Sequence, residues 1–533
     1  MSQNKNIFND VSSPNVKKSW FDMGNTHLTS MNFGELVPVY CQPTLPGSVF
    51  KMSHEWLLKT SAMIAPVMHR NQIYIHTFFV PYRNLWDNWT NFITETKIDG
   101  VLPSVPFFNI DSDDADLGRL GNYLGIPFPS TVPGGSSETQ FTAFWWAAYQ
   151  FIWNEYYRDQ NLQAEVDYSL IDGDNSADYV GIFKDLKKRA WMHDYFTSAL
   201  PDTQKGDAVN IPMTFDDVDV YFKGAASGNQ VVQNSADVPY VGGVLEANNP
   251  TGNLQRNDSG TQTQAWLNPG DTLAADTSEL LASAGIIDLR IAEQLQRFRE
   301  LMMTHGSRYN EFLEAIYSYK IKDETIQRPV YLGGSRADLI ISETLNTSGN
   351  EALNLPQGNK SGNAQSYANG GNINYMCPEH GVIMSIMSVM PDSMYFQGIP
   401  KEFMKMSDPF EYGNPLMANI GEQPVLKGEL YGWQGATDAE TFGYQMRYAE
   451  YKQTFNRISA DMTSSLLFWN EARNFATNPT LNSDFITCDH ANDDLGRIFN
   501  VEDAATQKLW AMIRTNANVL HPLPYFGTPM LGQ

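Results

Sequence analysis

Residues 381–390 read GVIMSIMSVM, a run in which both alternating sets of side chains avoid water. Successive side chains of a strand point to opposite faces, so such a run has no face to offer solvent. It predicts a strand buried on both sides, and hence a fold with material layered above and below a sheet. The run is about half the length needed to cross a bilayer, so membrane insertion is not expected.

Other blocks read as strands with ordinary ends. Residues 34–42 (GELVPVYCQ) form one, closed by a turn at Pro43-Thr44-Leu45-Pro46-Gly47; residues 49–58 form a second. Residues 72–80 (QIYIHTFFV) are a β-branched and aromatic third, ended by Pro81. Three helices are expected. The capping box Ser137-Glu138-Thr139-Gln140 opens one over 141–157. Ile291, Leu295, Phe298 and Met302 recur at helical spacing, and Phe312, Leu313, Ile316 and Tyr317 mark a third close behind. No period of 20–50 residues repeats, which argues against a solenoid or propeller.

The chain has 533 residues, more than one hydrophobic core of roughly 250–300 residues usually serves. Two segments read as excursions from the core. Residues 207–285 are rich in Gly, Asn, Asp, Gln and Thr, with short strands expected at Val218, Val220, Tyr221 and Phe222 and at 240–245. Between 205 and 275 eight acidic side chains stand against three basic ones. Residues 346–374 are Asn-, Gly- and Ser-rich and read as a flexible loop. The result is an antiparallel β core whose connections are longer than its strands.

The net charge of −24 opposes a general grip on nucleic acid, though not a locally basic face. The start of the chain is polar and has no secretory-signal pattern. Cys41, Cys377 and Cys488 are far apart and include no C-x-x-C pair, so neither a disulfide framework nor a zinc site is expected. No metalloprotease, nucleophile-elbow or phosphate-loop motif occurs. His193 beside Asp194, and His490 beside Asp489, read as structural pairs. Asp111, Asp113, Asp114 and Asp116 lack the Gly and distant Glu of a calcium loop and read as a solvated loop. Lys184, Lys187, Lys188 and Arg189, followed by Trp191 and Tyr195, read as a solvated helix face, with a stacking-plus-phosphate site as the alternative. Lys17 and Lys18 lie in an amino-terminal arm, 1–18, whose one acid is Asp10; they are the candidate DNA contacts. No catalytic, cofactor or metal site is assigned.

Several stretches form a series. They are residues 19–50, 65–92, 154–162 (NEYYRDQNL), 194–206 (DYFTSALPDTQKG), 288–290, 327–336 (QRPVYLGGSR), 379–381, 421–423, 442–457 (FGYQMRYAEYKQTFNR) and 524–529. In this order they resemble the major capsid proteins of the Microviridae, and the long insertion after Lys205-Gly206 is similar to the gokushovirus-like branch. The series departs from the family at Asp202-Thr203, where a Trp-Pro pair is usual.

The resemblance implies a mainly β protein with an eight-stranded antiparallel jelly roll of the viral capsid type, carrying long helical and loop insertions. The core would comprise 19–206 and 286–533, and 207–285 would be a surface insertion gathered at threefold axes. The copies would assemble, in the host bacterial cytoplasm, into a T=1 icosahedral shell around circular single-stranded DNA. Minor virion proteins, such as a DNA pilot protein and a small basic DNA-binding protein, and a host surface receptor are the implied partners. A carbohydrate-binding or carbohydrate-cleaving jelly roll is the rival reading, but no carboxylate pair of a glycosidase is marked in the sequence. A receptor-binding spike is the second rival; it would share the β content and lack the series of blocks.

Overall fold

The computed structural model describes residues 16–111, 113–132, 138–207, 209, 286–306, 308–345, 358, 360–501 and 506–526, together with seven short strands within 210–285. The chain divides into two units: Met1–Thr203 with Leu301–Gln533, and Gln204–Glu300.

Ten strands of the first unit make its two larger sheets. In chain order they are β1 (Ser19–Asp22), β2 (Asn25–Met31), β3 (Val37–Thr44), β4 (Val49–Thr60), β5 (Asn71–Pro81), β6 (Val330–Asp338), β7 (Ile340–Leu345), β8 (Lys360–Met376), β9 (Gly381–Pro391) and β10 (Leu509–His521). The six-stranded sheet runs β1-β10-β4-β8-β7, with β2 also on β10; the four-stranded sheet runs β6-β5-β9-β3. The pairing is nested and antiparallel: β2 on β10, β3 on β9, β4 on β8, β5 on β6. β1 and β2 follow β10 as one strand broken at Met23-Gly24. A Cβ at Gly24 would stand 2.8 Å from the Thr515 carbonyl oxygen, so the close approach there requires glycine.

β9 is buried along its whole length, as its apolar run predicts. Ile383, Met387 and Val389 face the interior between the sheets, with Phe50, Trp56, Leu58, Ile73, Ile75, Phe79, Ile513 and Val519. Val382, Met384 and Ile386 point the other way, into a second core. That core is supplied by the connection after β5. Its helix α1 (Phe144–Ile152) is apolar nearly all round and buried accordingly. The Tyr149 hydroxyl donates to the Leu36 carbonyl (2.8 Å) and accepts from the Lys187 amide (2.9 Å), fastening α1 beside β3. A third cluster joins Tyr195 and Phe196, from the connection after β5, to Tyr395, Val425, Leu430, Phe442 and Phe485 of the β9–β10 connection.

The structure corrects several expectations. Residues 360–374, read as part of a flexible loop over 346–374, belong to β8. The stretch is polar because Asn363, Gln365, Tyr367 and Asn369 face water, while small residues such as Ala364 and Ser366 pack inward. Residues 346–357 and 359 lie outside the described residues. Thr139–Thr142, read as a helix start, is a strand paired with Phe107–Ile110; the helix begins at Phe144, and Ser137 lies outside the described residues. The ladder there meets the backbone groups that a cap would have met. β3 runs through Pro43, which was read as a turn. It is an edge strand, ladder-bonded on one side alone, and so accommodates Pro38 and Pro43. The 34–36 start expected for this strand is not part of it. Helices α2 (Ile286–His305) and α3 (Tyr309–Tyr317) cover the two remaining helical patterns.

In the second unit, Val220–Lys223 pairs with Thr272–Ala275 and Val232–Gln233 with Trp266–Leu267, outside a three-stranded ladder of Val244–Ala247, Leu254–Asp258 and Thr261–Gln264. Much of 207–285 lies outside the described residues.

Two polar groups within the first unit carry measurable consequences. His54 on β4 sits midway between the sheets. Its Nδ1 lies 3.0 Å from Thr515 Oγ1 on β10, and its Nε2 lies 3.2 and 3.1 Å from Thr77 Oγ1 on β5 and Ser385 Oγ on β9. One imidazole thus joins four strands of both sheets. Burial pushes its pKa down to about 4, so the neutral ring is the folded form. Glu471 is fully buried, accepts from Asn71 Nδ2 (2.6 Å) at the start of β5, and has its carboxyl pushed up to about 7 by burial.

We predict that His54→Gln destabilises subunits at pH 7.5, with urea unfolding reporting a loss of about 1–3 kcal/mol for the broken node. The unfolded His protonates below about 6.5 while the folded one resists until about 4, so the parent loses stability as pH falls through that window. The gap to the variant must therefore shrink between pH 6.5 and 4; a constant gap contradicts the assignment. Glu471→Gln has the opposite dependence. Below about pH 4.5 the carboxyl is protonated in both states and the two proteins match. As pH rises to 7 the unfolded carboxyl ionises and the folded one does not, which costs the parent roughly 3 kcal/mol, a penalty that persists above pH 7. The variant should be the more stable protein at pH 8, and an equal gain at pH 4.5 would refute this.

Candidate genome-facing and assembly surfaces

Lys17 and Lys18 are exposed and lead directly into β1. Lys18 Nζ lies 3.5 Å from the Gly47 carbonyl oxygen, and Trp20, two residues on, has Lys51 Nζ 5.0 Å above its ring. The amino-terminal cations are therefore continuous with the outward face of the six-stranded sheet, which has no covering layer among the described residues. Residues 1–15 of the expected arm lie outside the described residues.

The basic run at 184–189 is neither a helix face nor a stacking site. It follows a single wide turn, Tyr179–Phe183, and is tied into the structure. Lys188 pairs with Asp489 at 2.5 Å, and Lys187 lies over the Trp153 ring. Arg189 lies over Tyr74 at 4.3 Å and donates to Ser388 Oγ at 3.0 Å. Trp191 and Tyr195 are buried, so neither ring can receive a base.

The two His–Asp pairs are structural. Asp194 accepts from Tyr395 Oη (2.8 Å) and from the Phe196 and Thr197 amides, organising the turn after His193. His490 packs against the rings of Phe33 and Phe499 (centroids 6.0 and 6.4 Å), and burial pushes it down to about 4. Cys41, Cys377 and Cys488 are free thiols; burial pushes Cys41 and Cys377 up to about 12, far from reactive thiolates. Among the described residues no three His, Cys, Asp or Glu side chains gather as metal ligands. The side chains of Asp114 and Asp116 fall outside the described set.

Two surfaces that motif reading did not single out stand out in three dimensions. The β9–β10 connection is anchored by buried ion pairs, Lys405–Glu450 at 2.7 Å and Arg473–Asp493 at 3.4 Å, with Arg473 also over Phe485 at 4.3 Å. Over this frame the same connection exposes Phe403, Met406, Leu416, Ile420 and Trp433, with Leu416 and Trp433 nearly as open as in an extended chain. Large apolar exposure of this kind marks an interaction surface. Its residues fall in short turns without periodicity, so nothing in the pattern could have flagged them.

The second surface is the outward face of the six-stranded sheet. Across it runs an apolar row in cross-strand register: Leu28 on β2, Met512 on β10, Leu57 on β4 and Tyr367 on β8. Toward the Trp20 end, Lys51, Ser53, Asn372, Asn374, Asn516 and Asn518 line a shallow depression of about 320 Å³. Alternation along the strands was the signal available for this face, but it names no partners across the ladder.

The comparisons with known proteins agree along the whole chain. The capsid protein (F protein) family matches residues 9–531. Capsid protein VP1 of Bdellovibrio phage phiMH2K is 30% identical over 91% of this chain and 90% of its own length. Capsid protein VP1 of Chlamydia phage 1 is 28% identical over 99% and 98% respectively, and that of Spiroplasma virus 4 is 28% identical over 97% and 96%. With two layered antiparallel sheets, broad apolar exposure and relatives that share nearly its full length, the chain belongs to the phage capsid protein (F protein) family, as a gokushovirus-like structural protein of the Microviridae and not an enzyme.

Proposed function

We propose that copies of this chain close into a T=1 icosahedral shell around a circular single-stranded DNA genome, each built on an eight-stranded jelly roll. The observation that carries the reading is the nested pairing of β2 with β10, β3 with β9, β4 with β8 and β5 with β6, split between two facing sheets. A chain folded double and then rolled has this order, and jelly rolls of this kind build viral shells. In this reading β1 extends β2, and β7 widens the sheet beyond β8. The exposed apolar side chains around Phe403 and Leu416 suit obligate contacts between copies, which commonly bury more than 2,000 Å².

Residues 207–285 form, in this proposal, a surface protrusion at threefold axes that takes part in host attachment. Their acidic excess suits an outward face better than one turned to DNA. Lys17 and Lys18 face the lumen. A charge of −24 per copy means that attraction to the genome must be local or come from partners, here a DNA pilot protein and a small basic DNA-binding protein. Assembly takes place in the host bacterial cytoplasm, and the finished chain resides in the virion with a host receptor as its external partner.

Electron microscopy of purified material tests the assembly directly: closed shells are expected, and a folded monomer at every concentration and salt would overturn it. Deleting residues 225–265 should leave shells that form but attach poorly to cells, and lost assembly would place the segment in the shell wall instead. Replacing Lys17 and Lys18 by Glu should lower packaged DNA, read as the 260/280 nm absorbance ratio of particles, more than it lowers particle yield. An unchanged ratio removes these lysines from the genome contact.

A further inference from the structure

The outward face of the six-stranded sheet differs in charge and chemistry from the chain that carries it. Its rows can be read from the register. Trp20 pairs with Leu520; Asp22, Asn518, Lys51 and Asn374 form the next row, and Asn516 with Ser53 the one after. Then come Thr26, Arg514, Glu55 and Asn369, followed by the Leu28–Met512–Leu57–Tyr367 row, and finally Ser30, Trp510, Lys59 and Gln365. Three large rings are exposed along this path: Trp20 (46%), Tyr367 (72%) and Trp510 (48%). Lys51, Lys59 and Arg514 lie on the same face, and Lys17 and Lys18 precede Trp20 by three and two residues. The carboxylates in these rows are Asp22 and Glu55, and Glu55 is engaged by Asn516 Nδ2 at 2.9 Å. A chain of net charge −24 thus presents one locally basic face.

We propose that this face binds single-stranded nucleic acid without sequence preference. Bases stack on Trp20, Tyr367 and Trp510, and phosphates meet Lys51, Lys59 and Arg514. The amides of Asn372, Asn374, Asn516 and Asn518 hydrogen-bond sugars and base edges in the depression they line. The inference rests on the reading of the chain as a genome-enclosing shell protein and gives that shell a specific inner surface.

The physical case has three parts. Stacking platforms set within a cationic surface are how sheets hold single strands whatever their sequence, since every base has a π face. Trp20 and Trp510 are ten residues apart along β10, taking Leu520 as the partner of Trp20; at about 3.3 Å per residue that is roughly 33 Å of platform. The alternative occupant, a second copy of the chain, is less well matched. The core of a protein interface is depleted in charge, whereas here Lys51, Arg514, Glu55 and several amides lie between Trp20 and the Tyr367 row, and Lys59 stands beside Trp510. Asn side chains carry both donors and acceptors and so tolerate any base edge.

Ultraviolet cross-linking of genome-containing particles, followed by nuclease and protease digestion and mass spectrometry, tests the assignment. Nucleotide adducts are expected on peptides carrying Trp20, Tyr367 or Trp510. Adducts confined to other peptides, or cross-links from these rings to a second copy of the chain, overturn it. Particles devoid of nucleic acid would overturn the genome-enclosing reading instead, and the face is then judged on the purified chain with the oligonucleotide dT30. There Tyr367→Ala, at a side chain already largely in water, should weaken binding roughly 5- to 150-fold. The double variant Lys51→Gln, Arg514→Gln should lower the slope of log affinity against log salt by about 1.4. Unchanged affinity in the first variant together with an unchanged slope in the second refutes the proposal.

Discussion

β9 has no side turned to water, and the rest of the first unit follows from that. A strand apolar on both faces is stable only between two layers. One layer is the six-stranded sheet, which meets Ile383, Met387 and Val389. The other is the connection after β5, whose helix α1 and aromatic side chains cover Val382, Met384 and Ile386. Without that second layer the four-stranded sheet would expose a continuous apolar surface and associate non-specifically. The long connection is therefore part of the core and not an ornament on it.

The two sheets consequently have unequal roles. The four-stranded sheet is walled in on both sides along β5 and β9, which form the middle of the unit, while its edge strand β6 keeps alternate residues in water. The six-stranded sheet keeps one face out, with period-two alternation along β4, β8 and β10. That free face carries the lysines, amides and rings at which a genome contact is proposed, together with the Leu28–Met512–Leu57–Tyr367 row, while a second group of exposed apolar side chains sits on the loop-built β9–β10 connection. The clustering of Lys51, Lys59 and Arg514 on this one face lets a strongly acidic chain offer a local basic surface.

The two halves of the sandwich are also tied by polarity. His54 with Thr77, Ser385 and Thr515 places four hydrogen-bonding groups at its centre, where only the matching register satisfies them all. A one-residue slip of any of the four strands would leave a buried imidazole or hydroxyl unpaired, at a cost of about 1–3 kcal/mol. The node therefore favours one register among those that the apolar pattern alone would permit, and it makes the sandwich sensitive to acid.

The sequence by itself determined which stretches must be strands and which of their faces must be dry. β4, β5 and β9 are legible in 49–58, 72–80 and 381–390 because burial demands a run of apolar or alternating side chains. It also determined, through ten blocks in family order, that the chain is a capsid protein. It could not show β8, whose inward residues over 362–370 are small and whose outward ones are polar, so that no hydrophobic period survives there. Nor could it show that Lys187, Lys188 and Arg189 are tied down by Trp153, Asp489 and Tyr74, or that Trp191 is inside. Only the tertiary structure decided who pairs with whom. Trp20 meets Leu520, and Leu28, Met512, Leu57 and Tyr367 meet in one row, across hundreds of residues of chain. The physical reason is that alternation encodes the side a residue faces, whereas the partner across a ladder is chosen by the packing and hydrogen bonding of the whole fold at once.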